Sequence, residues 1–162
     1  MIFLKIFWVL LSENSGYLRK FTNFAIAKCI NRTHAYMNEL KELKKDTDGL
    51  LTYDYIVNHV EECEGDMDFL TENLRESDNT GQYLSSSARF LSSIDRERFM
   101  PWISRMIEGA IERDRERRYI WSLLKSIWGE DYESRVDELR EQDDNFRKIY
   151  KRVFPESQES AL

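Results

Sequence analysis

The sequence predicts an all-α protein, a small helical bundle built on a long C-terminal helical hairpin, with an apolar, basic N-terminal helical segment. Charged residues make up 33% of the 162-residue chain, which holds only six glycines and two prolines. That composition favours helices with solvated faces over strands and turns. Apolar residues recur at three- and four-residue spacing, and no convincing strand-like alternation lasts for five residues. An apolar fraction of 41% is enough for a core without help from metals or disulfides.

Net charge divides the chain after residue 36. Residues 1–36 hold five bases and one acid, a sum of +4, whereas residues 37–162 hold 19 bases and 29 acids, a sum of −10. Together these sums give the net charge of −6. We therefore predict an apolar, basic N-terminal segment over 1–36, a helical domain over 37–154, and a frayed tail over 155–162.

Several interpretations of residues 1–36 stay open. The apolar run over 2–11 is about half as long as a membrane-spanning helix. As a secretory signal it lacks a preceding base and a clean small-residue cleavage site. Residues 17–30 also fit an amphipathic helix that lies on a membrane surface or packs on the main domain. Finally, the stretch after Met37 is typical of a natural start, so residues 1–36 also fit an over-long start.

The first half of the domain is predicted to form short helices separated by turn residues. We expect helices over 39–45, 53–62, 67–74 and 82–91. Thr52 and Asp66 are the expected N-caps of the second and third of these. Residues that favour turns separate these helices, at Asp46 to Gly49, at Gly65 and over 77–81. We see no internal repeat at the periods that mark solenoid proteins.

The second half carries the predicted hairpin. Asp95 is the expected N-cap of a helix that Pro101 either kinks or restarts. The longest predicted helix runs from Trp102 to Trp128 and stops at Gly129. The last runs from about Asp131 to Phe154, and its apolar residues recur every seven positions, which favours packing along another long helix: Tyr132, Leu139, Phe146 and Val153.

No pattern of residues indicates catalysis. His59, Glu62 and Cys63 share one predicted helical face, but no second pair of ligands stands at a useful spacing for zinc. Motifs for a nucleophilic serine, a phosphate-binding loop or a dinucleotide fold are absent from the sequence. We therefore expect a protein that is not an enzyme and that uses no metal or cofactor.

The leading functional hypothesis is a non-enzymatic interaction or regulatory protein in the cytoplasm, whose partner is another protein with a basic surface. Residues 37–80 hold 13 acids and four bases, a sum of −9, and such a helical surface can dock on a basic one. Trp128, beside Gly129, is expected to stay partly exposed. The candidate contact residues are Glu61, Glu62, Glu64, Asp66, Asp68 and Trp128.

Three alternatives accompany this hypothesis. A nucleic-acid-associated factor would use the basic patch on the last helix, which holds Arg147, Lys148, Lys151 and Arg152. A peripheral membrane protein would use residues 2–30. The hairpin would also allow a homodimer that completes a four-helix bundle. The bases between Arg113 and Arg118 alternate with acids, which is typical of a salt-bridged, solvated helix face.

Overall fold

The computed structural model describes residues 38–155. Helices and their connections make up this range and no strand occurs in it, so the all-α class is confirmed. The predictions for residues 1–36 and for most of the tail lie outside the described residues. The chain divides into two compact units, residues 1–42 and 43–162. Residues 38–43 are helical, and the rest of the description concerns the second unit.

The second unit is a helical bundle with short connections. Short 3₁₀ turns precede two of its helices, at Glu64–Asp66 and Tyr132–Arg135. The α-helices are α1 Leu50–His59, α2 Met67–Ser77, α3 Gln82–Arg113, α4 Trp121–Trp128, α5 Val136–Gln142 and α6 Asp144–Val153. Helices α1 and α2 pack on α3, and α3 also contacts α4 and α6.

Three helices begin after the same kind of turn, in which an aspartate side chain accepts backbone N–H groups from the start of the next helix. We call these the aspartate turns, and they begin at Asp46, Asp78 and Asp114. In the first two, the carboxylate binds the N–H groups three and six positions on, each at 2.9 Å: Gly49 and Thr52 for Asp46, Gly81 and Leu84 for Asp78. The carboxylates thus satisfy donors that a helix start leaves unpaired.

The third aspartate turn reaches the same result without glycine. Asp114 accepts N–H groups from Arg118, Tyr119 and Ile120 at 3.0, 2.7 and 2.9 Å. Arg117, at the position of the turn glycine, has a positive φ of 61°. Few non-glycine residues adopt this conformation, so the buried carboxylate and its hydrogen bonds must hold it in place.

The aspartate turns stack on one another. A Cβ atom on Gly49 would lie 3.0 Å from the Cβ atom of Asp78, and one on Gly81 would lie 3.1 Å from that of Asp114. Both glycines have positive φ, 95° and 78°. Glycine is therefore required twice over, for its backbone conformation and for the close approach of the next turn.

This stacking reveals an internal repeat of two-helix units. Their aspartates lie 32 residues apart (78 − 46) and 36 apart (114 − 78). The second helical element of each unit follows an N-cap 17 positions after the aspartate, at Cys63, Asp95 and Asp131. Buried residues also recur six, nine and ten positions after it: Thr52, Tyr55 and Ile56; Leu84, Ser87 and Ala88; Ile120, Leu123 and Leu124.

The expectation of no solenoid-like repeat was therefore wrong. Equivalent core positions hold Thr, Leu and Ile in the three units, so little identity survives in the sequence. Thr52 likewise is not an N-cap. Gly49 has that position, and the Thr52 hydroxyl donates to Asp46 at 2.6 Å.

Residue Asp95 is the N-cap that the sequence predicts. Its backbone is extended, with φ −158° and ψ 93°, and divides α3 into two halves. Its carboxylate accepts the N–H of Arg98 at 3.0 Å, which starts the second half. Helical structure then continues past Pro101. The first half of α3 is the first helix of the second unit, and the second half is its second helix.

The predicted C-terminal hairpin is divided by two further aspartates. The helix expected over Trp102–Trp128 ends at Arg113, where the third aspartate turn begins. The helix expected over Asp131–Phe154 breaks at Asp143, which is extended, with φ −129° and ψ 112°. Helix α6 then packs on α3 and α4 rather than continuing one long pair. Aspartate favours such breaks because its side chain caps the following helix.

The Asp46 carboxylate predicts a pH dependence of stability. Burial raises its pKa, but hydrogen bonds from Thr52, Gly49 and Asp48 outweigh burial and hold the pKa below 3.8. A lowered pKa in the folded state stabilises the protein above pH 3.8, and this contribution is lost as the pH falls through the folded value. We expect Asp46→Asn to cost about 1 kcal/mol of unfolding free energy at pH 7 and less near pH 3. Urea unfolding at both pH values measures this difference.

Asp54→Asn is the matched control for this prediction. Asp54 is exposed on α1, and its carboxylate accepts no hydrogen bond within residues 38–155. Its substitution should leave the unfolding free energy nearly unchanged at both pH values. If Asp46→Asn lowered the unfolding free energy by the same amount at pH 3 and pH 7, the proposed role of the ionised carboxylate would be contradicted.

Candidate binding surfaces

Part of the predicted acidic surface is neutralised inside the fold. Glu64 forms an ion pair with Arg98, whose Nε also donates to it at 2.9 Å. Asp68 accepts hydrogen bonds from Trp102 Nε1 at 3.1 Å and from Arg105 Nη1 at 2.6 Å. These contacts join α2 to the second half of α3. Two of the acids predicted to meet a partner thus already have basic partners in the chain.

The remaining acids lie near the end of α1. Glu61 and Glu62 are exposed in the turn that follows the helix, and Asp66 is half-buried at the start of α2. Asp54 and Asn58 are exposed on one side of α1, four residues apart. We call Asp54, Asn58, Glu61 and Glu62 the acidic face. Neither Asp54 nor Glu61 pairs with a base in the part of the chain that the structure describes.

The prediction for Trp128 is wrong. Its side chain is only 6% exposed, and its Nε1 donates to Asp143 Oδ2 at 2.8 Å. The break at Asp143 brings that carboxylate to the indole, and the ring also packs edge-on against Phe146. Trp128 is therefore a core residue and offers no surface to a partner.

The exposed indole belongs to Trp121, at the start of α4, with 59% of its surface accessible. Trp121 lies within the single helix predicted over Trp102–Trp128, which did not distinguish it as an exposed residue. The third aspartate turn restarts the helix, and Ile120 points into the core instead. Residues of α1, α3 and α4 line a cleft that does not include Trp121 and that we call the outer cleft: Tyr53, Ser86, Arg89, Phe90, Ser93 and Ser126.

The predicted basic patch on the last helix divides into two parts. Arg147 and Lys148 both pair with Asp144, which partly neutralises them. The guanidinium of Arg152 instead donates to the backbone carbonyl of Ile111. Lys151 is exposed. Only Lys151 and Arg152 therefore contribute charge that no carboxylate in the described structure compensates.

Two further arginines also bind carbonyl oxygens rather than carboxylates. Arg117 Nη1 donates to the carbonyl of Arg152 at 2.9 Å, and Arg113 Nη2 donates to that of Arg75 at 3.0 Å. A carbonyl anchors a guanidinium without cancelling its charge. We call the following residues the basic cluster: Arg113, Arg115, Arg117, Arg118, Lys151 and Arg152.

The basic cluster corrects the prediction of a salt-bridged helix face over Arg113–Arg118. Residues 114–120 form turns rather than a helix. Among their acids, Glu116 pairs with Arg118, whereas Asp114 is buried beneath the turn. The cluster's six bases and these two acids leave a local excess of four positive charges (6 − 2).

His59 and Cys63, which share the predicted helical face with Glu62, each have a partner close by in the chain. His59 Nδ1 lies 3.0 Å from the carbonyl oxygen of Tyr55, and its ring stacks on that residue. Cys63 is buried, with its Sγ 3.8 Å from Met67 Sδ. Among residues 38–155, no group of three or more His, Cys, Asp or Glu side chains is placed to hold a metal ion.

We expect Cys63 to be inert toward thiol reagents in the folded protein. Burial raises the pKa of its thiol above the ordinary value, so little reactive thiolate forms at neutral pH. In a Cys29→Ser background, which leaves Cys63 as the sole cysteine, an aromatic disulfide reagent should react at least about a hundredfold more slowly than in guanidinium. Equal rates in the folded and unfolded protein would contradict the described burial.

Within the described range, no helix has the length and apolar character needed to cross a membrane. The chain matches no protein-family model, no curated protein and no solved structure with which it was compared.

Proposed function

We propose that this chain is a non-enzymatic helical binding protein, and that its partner is another protein with a basic surface. The observation that carries this proposal is the acidic face. Asp54 on α1 and Glu61 in the turn after it are exposed and have no basic partners in the described structure, whereas Glu64 and Asp68 pair with arginines of α3. Two exposed acids without basic partners, Asp54 and Glu61, would attract a basic partner and help to set its orientation.

The repeat architecture supports the same proposal. Proteins built from stacked two-helix units present continuous surfaces along the stack, and such surfaces commonly bind other proteins. Here α1 packs on α3, and α3 packs on α4. Leu51 on α1 is also 50% exposed. An exposed tryptophan and leucine supply the apolar contact area that charges alone do not provide.

We propose that this binding protein acts as a regulator and works in the cytoplasm. An acidic helical surface can compete with another acidic ligand, such as nucleic acid, for a basic site on the partner. The cytoplasm is a reducing compartment, in which the buried Cys63 would stay a free thiol.

Site-specific photo-crosslinking tests the proposal. A photoreactive amino acid at Asn58 lies within the acidic face, and the same residue at Arg96, exposed on α3, is the matched control. We expect one dominant protein adduct from position 58 in the native cells and none from position 96. Asp54→Lys with Glu61→Lys should lower the yield of that adduct about tenfold. An adduct that survives the charge reversal would overturn the acidic face as the binding surface.

Nucleic acid is a second candidate partner, favoured by the basic cluster. Three of its guanidinium groups, those of Arg113, Arg117 and Arg152, bind carbonyl oxygens and retain their charge, which suits contact with phosphates. If nucleic acid is the partner, Lys151→Ala should weaken binding at every sequence and reduce its salt dependence. A gel mobility shift over a range of salt concentrations measures both effects. The membrane and homodimer alternatives remain predictions, and the former rests on residues outside those described.

A further inference from the structure

An open cleft lies between the second and third aspartate turns. Gly81 and Asp114 bring the two turns into contact at its base. Three arginines line it together with polar and aromatic side chains: Asn79, Thr80, Arg113, Arg115, Arg118 and Tyr119. We infer that this cleft binds a phosphate group, either as a free anion or as part of a small molecule. This inference does not depend on the proposed protein partner.

The carboxylates of the cleft are already occupied. Asp114 is 2% exposed, and its two oxygens accept three backbone N–H groups. Glu116 is exposed and pairs with Arg118. Arg113 donates to a carbonyl oxygen, and Arg115 has no side-chain partner within residues 38–155. The cleft therefore keeps a positive charge that an anion would compensate.

The donors match phosphate better than a monovalent anion. Guanidinium groups present paired N–H donors that bind two phosphate oxygens at once, and phosphate has more oxygens than one arginine can satisfy. On the opposite side of the cleft, Asn79 uses one amide N–H on the carbonyl of Ser77, at 3.2 Å. Its second amide N–H is available to a ligand.

The backbone around the cleft is organised before a ligand arrives. The positive φ of Arg117 is held by the buried Asp114, and the side chain of Arg117 is fixed on the carbonyl of Arg152. Gly81 approaches the carbonyl oxygen of Ala110 so closely that a Cβ atom would lie 3.1 Å from it. Such a fixed frame reduces the entropy that binding would otherwise cost.

The chemistry of the ligand beyond the phosphate depends on Tyr119. Its half-buried ring lines the cleft beside the three arginines. A flat organic group joined to the phosphate, such as a nucleoside, would stack on this ring. Inorganic phosphate would make no use of it.

Calorimetric titration of the full chain tests the inference. The probes are inorganic pyrophosphate, adenosine 5′-monophosphate and sodium sulfate at equal ionic strength. We expect saturable binding of at least one phosphate compound and weaker binding of sulfate. Arg115→Gln and Arg118→Gln should each weaken it about tenfold, because each removes a charged hydrogen-bond partner. Arg96→Gln, at an exposed site on α3, should leave binding unchanged.

Two comparisons make the result decisive. If the nucleotide binds more tightly than pyrophosphate and Tyr119→Leu removes this difference, the ligand is an organic phosphate. If the two compounds bind equally, the cleft recognises the phosphate group alone. Absence of saturable binding overturns the inference. Equal losses of affinity for the Arg115, Arg118 and Arg96 variants also overturn it, because they would indicate diffuse electrostatic attraction. Circular dichroism of each variant confirms that the fold is intact.

Discussion

Replacing Asp78 with alanine is expected to destabilise the protein by about 3–5 kcal/mol. The Asp78 carboxylate is fully buried and accepts four hydrogen bonds. Three come to Oδ1 from the N–H and hydroxyl of Thr80 and the N–H of Gly81, and one comes to Oδ2 from the N–H of Leu84. Alanine would leave buried backbone donors without an acceptor, and each such donor costs about 1–3 kcal/mol.

Asp48→Ala is the matched control for Asp78→Ala. Asp48 also precedes a turn glycine and caps a helix start, but its carboxylate is exposed and accepts the N–H of Leu50 at 3.0 Å. Its loss should cost about 1 kcal/mol or less because water replaces the hydrogen bond. Urea unfolding followed by circular dichroism measures both values. Similar losses of unfolding free energy for the two variants would show that burial does not determine how much the Asp78 carboxylate contributes to stability.

Asp78→Ala also tests whether the three two-helix units fold together. Gly49 packs against Asp78, and Gly81 packs against Asp114, so each turn supports its neighbours. In a stack of units, stability depends on the interfaces between neighbours as well as on each unit. If the interfaces dominate, Asp78→Ala lowers the midpoint of one cooperative transition, and probes in α1 and in α4 report the same midpoint.

The fold class was predictable from sequence because it depends on features that are local. Few glycines and prolines, a high charge and apolar residues at helical spacing identify helices wherever they pack. The N-cap at Asp95 was predictable for the same reason, since capping involves only the next turn of helix. The short first helices also follow from local turn residues.

The aspartate turns were not predictable, because many aspartates look alike in the sequence. Asp114 follows helical residues and lies in a run of charges that also fits a solvated helix. Only burial distinguishes it, and burial depends on Gly81 from the preceding turn. The positive φ of Arg117 was not predictable either, because an arginine lacks the conformational freedom by which a glycine marks such a position.

The candidate surfaces were predicted only in part for a related reason. The acids of residues 37–80 were counted as one surface, but whether each is free depends on which bases α3 brings to them. Trp128, expected to be partly exposed, is buried against Asp143 and Phe146, and Trp121 is exposed where α4 begins after the third aspartate turn. Distant contacts thus decided exposure, and spacing along one helix did not.

A second large loss of stability is expected for Phe146→Ala, about 3–5 kcal/mol. The Phe146 side chain is fully buried at the first turn of α6. Its ring lies 5.2 Å from that of Trp128 and 5.6 Å from that of Tyr150, between centroids. Alanine would remove these contacts and leave a cavity that rigid aromatic neighbours fill poorly.

Phe154→Ala is the matched control, because the same ring at the end of α6 is 39% exposed. Its loss should cost about 1 kcal/mol or less. The test also concerns how the C-terminal part is held, since Phe146 packs on the Trp128 indole that Asp143 binds. If α6 were only a loosely attached end, Phe146→Ala would leave the main unfolding transition unchanged, and α6 would then not belong to the core of the stacked units.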